Sequence, residues 1–115
     1  MNELYAEDEP ARAEIDQLAG FTLLEFGSPF CGHCLRAQPV LADALQAYQG
    51  LRHIKIFDGR GRRLGRSFRV KLWPTLIVLR DGVEMARVVR PQNVAEIAAG
   101  LGALDEEQRS PSSLE

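Results

Sequence analysis

The chain has 115 residues, 45% of them hydrophobic and 26% charged, with a formal net charge of −2. This fits one globular domain with its own core and leaves no room for two. The near balance of charge argues against a whole-protein attraction to nucleic acid or anionic lipid. The longest apolar run of note, LWPTLIVL at 72–79, is far below the roughly 18 to 20 residues of a membrane span.

A secretory signal joins a positive first region to an apolar run. The first sixteen residues instead carry Glu3, Glu7, Asp8, Glu9, Glu14 and Asp16 against Arg12, so a cytoplasmic protein is expected. One domain is expected over 1–108. A disordered tail is expected over 109–115, and its final Leu114-Glu115 resembles a cloning scar.

Residues 1–7 could add an edge strand through Leu4 and Tyr5. Pro10 is suited to a first helical position. Ala11, Ile15, Leu18 and Ala19 then share one helical face, and Gly20 closes the helix. FTLLEF at 21–26 reads as a strand buried on both sides. After a GSPF turn, 31–48 follows a helical pattern with Leu41, Ala44, Leu45 and Tyr48 on one stripe, and Pro39 predicts a kink. LRHIKIF at 51–57 reads as a second strand. A Gly/Arg-rich loop over 58–65 leads to a short helix ending near Val70. TLIVLR at 75–80 and VEMARVV at 83–89 flank Asp81-Gly82, a two-residue hairpin signal. The last helix spans about 92–101, with Val94, Ile97, Ala98 and Leu101 on its apolar face. Strands joined through helices are expected to be parallel. The prediction is an α/β domain: a mixed sheet of parallel strands plus a C-terminal antiparallel hairpin, with helices on both faces.

The two cysteines are Cys31 and Cys34. A close Cys-x-x-Cys pair suggests redox chemistry or half of a metal site. Zinc takes four ligands. Cys31, Cys34, His33 and His53 are the most this chain offers, and His33 points poorly for chelation beside both sulfurs. Covalent haem attachment needs His directly after the second cysteine, but residue 35 is Leu. The pair falls where a strand passes into a helix. There the free N–H groups and partial positive charge of the first turn stabilise a thiolate. Three-residue spacing brings both sulfurs to one side of that turn. Gly32 permits a tight turn, and His33 is a candidate positive neighbour that lowers the first thiol's pKa.

LLEFGSPFCGHC at 23–34, Pro39 and WPTLIVLRDG at 73–82 resemble the thioredoxin superfamily. The resemblance covers about 8–102, and the Cys-Gly-His-Cys tetrapeptide is that of protein disulfide isomerase domains. It implies the thioredoxin fold, with Cys31 as nucleophile and Cys34 as resolving thiol. Glu25 stands where thioredoxins keep a buried aspartate, and Lys55 where the family often keeps a lysine near it. Pro74 matches the cis-proline facing the active-site disulfide. Phe30, Trp73, Pro74, Thr75 and Arg90 fall on the implied substrate-binding surface. Several positions depart from the pattern. Phe30 replaces a tryptophan, Gly27-Ser28-Pro29 replaces a Trp-Ala-x run, and Glu25 is one methylene longer than aspartate. Arg90 stands where glycine is usual, and Trp73 is bulkier than the common isoleucine or threonine.

The resemblance implies a thiol–disulfide oxidoreductase active in cell redox homeostasis and electron transport. No bound cofactor or metal is required, since the disulfide itself carries two electrons. Its partners would be protein disulfides and a recycling reductase or glutathione, and the chain would be a monomer. A His33-stabilised thiolate predicts a potential of about −240 to −180 mV, above the about −270 mV of thioredoxin. The alternative is a non-catalytic thioredoxin-fold binding or chaperone-like module. The run Arg60, Arg62, Arg63, Arg66, Arg69 and Lys71 reads as a solvated face. Its alternative is a docking patch for an acidic protein; no aromatic interleaving points to nucleic acid.

Overall fold

A computed structural model describes residues 4–6, 8–102 and 104. In chain order they form α1 (Arg12–Asp16), β1 (Phe21–Gly27), α2 (Gly32–Ala44) continued by a 3₁₀ turn at Leu45–Tyr48, β2 (Arg52–Phe57), α3 (Arg63–Ser67), β3 (Thr75–Arg80), β4 (Val83–Val89) and α4 (Val94–Gly100). The sheet order is β2-β1-β3-β4. β1 and β2 are parallel, with Glu25 opposite Lys55. β1–β3 and β3–β4 are antiparallel. The result is the mixed sheet and thioredoxin-type fold that the sequence predicts.

Alternation along the strands divides the core in two. Leu23, Leu76 and Val78 face α2 and α4, where they meet Leu41, Leu45, Ile97 and Leu101. Leu24, Phe26, Ile56, Ile77 and Leu79 face α1 and α3, where they meet Ile15, Leu64 and Phe68. At the hairpin tip Asp81 and Gly82 take φ of 50° and 82°, the left-handed pair that a two-residue turn between twisted strands requires.

The crossover rule holds for β1–α2–β2 and stops there. α3 has five residues, about 7.5 Å of helix, against about 20 Å for the six residues of β2. It therefore does not by itself return the chain to the far end of the sheet, and the rest of the 58–74 link stays near the end where β2 stops. The Trp73 indole bonds Asp58 directly beyond β2, so β3 starts where β2 stops and must run back.

Other boundaries shift as well. α1 begins after Ala11 and is capped at Gln17, leaving Pro10 ahead of the helix. α3 starts before Gly65, inside the expected loop. Val94 and Ala98 of α4 are exposed, and its inner face is Ile97 and Leu101, continued by Leu104. Instead of an edge strand at the N-terminus there is an isolated parallel bridge, Tyr5 to Lys55. The tail expected over 109–115 lies outside the described residues. Among those residues, no helix is long and apolar enough to cross a membrane.

Candidate active site

Cys31 is the N-cap of α2, in extended conformation, and its sulfur accepts the Cys34 N–H at 3.4 Å. A Ser28 turn delivers it there: the Phe30 N–H donates to Ser28 Oγ at 3.1 Å and the Cys31 N–H to the Ser28 carbonyl at 3.2 Å. Both thiols are free, but their settings differ. Partial burial of Cys31 works against ionisation. Hydrogen bonds from Cys34 and from the His33 backbone, with the positive charge of Arg90, outweigh it and hold the thiol below its ordinary value. Cys34 is buried, and burial pushes its thiol up to about 12, against the lowering effect of the Ser28 N–H. Gly27 makes room for it, since a Cβ there would lie 2.7 Å from Cys34 Sγ and 3.2 Å from the Tyr5 hydroxyl.

Behind Cys34 lies a buried polar network. Glu25 is fully enclosed on the α2 face of the sheet. His53 Nε2 sits 2.9 Å from its Oε1, and Gln38 Nε2 donates to its Oε2 at 2.8 Å. Gln38 Nε2 also donates to the Cys34 carbonyl at 3.1 Å, which couples the network to the helix turn carrying the thiol. Lys55 Nζ donates to Gln38 Oε1 at 3.1 Å and stands 4.0 Å from Glu25 Oε2. The Lys55 ammonium also lies 4.4 Å from the centre of the Tyr5 ring, and the Tyr5 hydroxyl bonds the Cys34 thiol. Burying a carboxylate is costly unless it is paired and hydrogen-bonded, and here both oxygens are engaged. Among the described residues, no buried side-chain nitrogen or oxygen lacks a partner.

On the other side of Cys31, the Trp73–Pro74 peptide is cis. The Trp73 indole donates to Asp58 Oδ2 at 2.9 Å. The Trp73 carbonyl accepts from Arg90 Nε at 2.8 Å, and the Arg90 N–H donates to the Pro74 carbonyl at 2.9 Å. His33, Arg36, Pro74 and Arg90 line one cleft. Arg90 disfavours a proton on His33, helped by slight desolvation and by Arg36. The cation acting on Cys31 is therefore Arg90, whereas the sequence suggests His33; His33 contributes through its backbone N–H. Phe30 is 86% exposed beside the nucleophile position. Thr75, expected on the substrate surface, is buried between β1 and β4, with its hydroxyl donated to the Leu72 carbonyl at 2.6 Å. Among the described residues, no three His, Cys, Asp or Glu side chains are placed to hold a metal ion.

The Thioredoxin family model matches residues 4–103. The chain belongs to the thioredoxin family. Over 83 residues it is 34% identical to a thioredoxin of Staphylococcus saprophyticus, covering 69% of this chain and 80% of that one. The reduced form of thioredoxin 2 from Pseudomonas aeruginosa PAO1 superposes with a TM-score of 0.82 and 52% identity, over 93% of this chain and 99% of that one. Chicken protein disulfide-isomerase A3 is 29% identical over 96 residues, which span 83% of this chain and 18% of that protein. Thiol–disulfide oxidoreduction is the activity of this family.

Three members of this thioredoxin-family site escape the sequence reading: Tyr5, Gln38 and His53. For His53 and Gln38 the signal is one of spacing. His53 stands two residues before Lys55 in a strand and so must share its face. Gln38 stands four residues after Cys34 in a helix and so lies above it.

Proposed function

We propose that this thioredoxin-family chain reduces or exchanges protein disulfides, with Cys31 as nucleophile and Cys34 as resolving thiol. The observation that carries this reading is the contrast between the thiols: one partly exposed and lowered at a helix N-cap, the other enclosed and raised to about 12.

In the reducing direction the Cys31 thiolate attacks one sulfur of the substrate disulfide. A Cys31–substrate S–S bond forms and the substrate's own S–S bond breaks. The departing sulfur leaves as a thiolate and takes a proton from water. Cys34 then gives its proton towards Glu25, the carboxylate whose charge acts on it. Its sulfur attacks Cys31 and the second substrate thiol leaves. Two electrons have passed to the substrate, and the chain holds a Cys31–Cys34 disulfide. Gln38 and Lys55 position Glu25 for this step. Phe30, Trp73 and the Pro74 backbone form the surface that meets the substrate chain. No bound cofactor takes part; a reductase or glutathione returns the electrons. A couple at about −180 mV would stay largely reduced in a cytosol at about −220 to −260 mV.

The test is an equilibrium titration of Cys31 and Cys34 in glutathione buffers, read by thiol alkylation. A reversible two-electron transition is expected. Two thiols that never form an internal disulfide would overturn the reading. Cys31→Ser abolishes disulfide reduction; a chain that still binds its partners with that substitution and never reduced disulfides is a binding module.

A further inference from the structure

The cleft beside Cys31 has a volume of about 260 Å³, is lined by His33, Arg36, Pro74, Arg90 and Gln92 among others, and has no acidic residue in its walls. Its two guanidinium groups come from different elements, Arg36 from α2 and Arg90 from the turn after β4. Arg12, Arg62 and Arg87 each pair with a carboxylate. Arg36 and Arg90 pair with none among the described residues. Arg36 Nη2 meets only His33 Nδ1, at 3.0 Å. Arg90 spends its Nε on the Trp73 carbonyl and leaves both Nη groups without a hydrogen-bond partner among the described residues. A guanidinium fixed through Nε and open at its terminal nitrogens is the geometry that takes a carboxylate in two parallel bonds. Arg90 is also held at φ 48°, a conformation that glycine adopts without the cost an L side chain incurs.

We propose that this cleft is a subsite for a carboxylate carried by the substrate polypeptide next to its cystine, held by Arg90 with Arg36 opposite, so that the chain prefers disulfides flanked by Asp or Glu. The inference deepens the dithiol reading and rests on it. The position suits the role, because a side chain one residue from the attacked sulfur falls within reach of a cleft bordering both His33 and Pro74.

The test uses the full chain, pre-reduced, against peptides joined by one disulfide and identical except for Glu, Gln or Lys directly after the cysteine. Single-turnover reduction is followed by acid quench and thiol alkylation. The Glu peptide is expected to react about tenfold faster than its Gln isostere at low salt, and the Lys peptide slower than both. In about 0.5 M NaCl, where the screening length falls to roughly 4 Å, the advantage is expected to shrink to about twofold. Arg90→Gln and Arg36→Gln are each expected to cut the Glu:Gln ratio to about 3 or less. The ratio is the readout because a change in Cys31 reactivity alters both rates alike and leaves it in place. Equal rates for Glu and Gln, or a ratio unchanged in both variants, overturn the subsite while the dithiol chemistry stands. If the native chain reduces none of the peptides, the subsite and the dithiol reading fall together.

Discussion

The two faces of the sheet are built from alternate residues of the same strands, yet they differ in kind. Towards α1 and α3, β1, β2 and β3 present Leu24, Phe26, Ile54, Ile56, Ile77 and Leu79, all apolar. Towards α2 they present Leu23, Leu76 and Val78, and also Glu25, His53 and Lys55. The first face is a packing surface only. The second gives up part of its apolar area to a carboxylate and two bases, all set beneath the helix turn that carries Cys34. A face that is apolar apart from the threonines near its ends, Thr22 and Thr75, makes it possible to keep costly buried charge on the other, where the thiol chemistry needs it.

That contrast can be broken from either side. Ile77→Ala, on the apolar face, is expected to cost about 2–5 kcal/mol in urea unfolding while the rate of disulfide reduction per folded molecule stays the same. On the polar side, the two thiols should separate by reactivity. Cys31 lies below its ordinary value, so its thiolate share at neutral pH exceeds that of free cysteine. Cys34, pushed up to about 12, stays protonated well above pH 9. Iodoacetamide at pH 7 is expected to modify Cys31 at least about a hundredfold faster, as read by peptide mass mapping. The Cys31 rate should rise with pH to a plateau reached earlier than for a free thiol. Glu25→Gln should leave the first attack intact and slow the second about thirtyfold, so that the mixed disulfide accumulates in a quenched time course. The smallest effect lies outside both faces. Asn93 accepts the Glu96 N–H at the start of α4, and Asn93→Ala is expected to cost about 1 kcal/mol in unfolding without altering the thiols.

Much of this architecture was legible in local patterns. The apolar runs of β1 and β3, the Asp81-Gly82 turn and the Cys31/Cys34 spacing each carry their signal within a few residues. Features that depend on distant partners were not legible. The direction of β3 follows from the Trp73–Asp58 bond and the shortness of α3, and neither shows in a hydrophobic pattern. The role of His53 is not legible locally because its partner, Glu25, lies one strand away. Arg90 could be placed by resemblance. Its grip on the Trp73 carbonyl needs the left-handed backbone that only the fold reveals. Thr75 sits beside Pro74 in sequence, yet it is the first residue of β3, hydrogen-bonded into the sheet and shut off from the surface.

Trp73 is the chain's single tryptophan. Its indole N–H is tied to Asp58 and its carbonyl to Arg90, at the rim of the thiol cleft. The molecule thus carries one indole, stationed where substrates would arrive. When it is excited at the red edge of its absorption, where the two tyrosines do not absorb, its emission is a report from that point alone. A ligand that draws Arg90 off the Trp73 carbonyl would register as a change in fluorescence before any bond between sulfurs has formed, so docking and chemistry could be timed separately in the unlabelled chain.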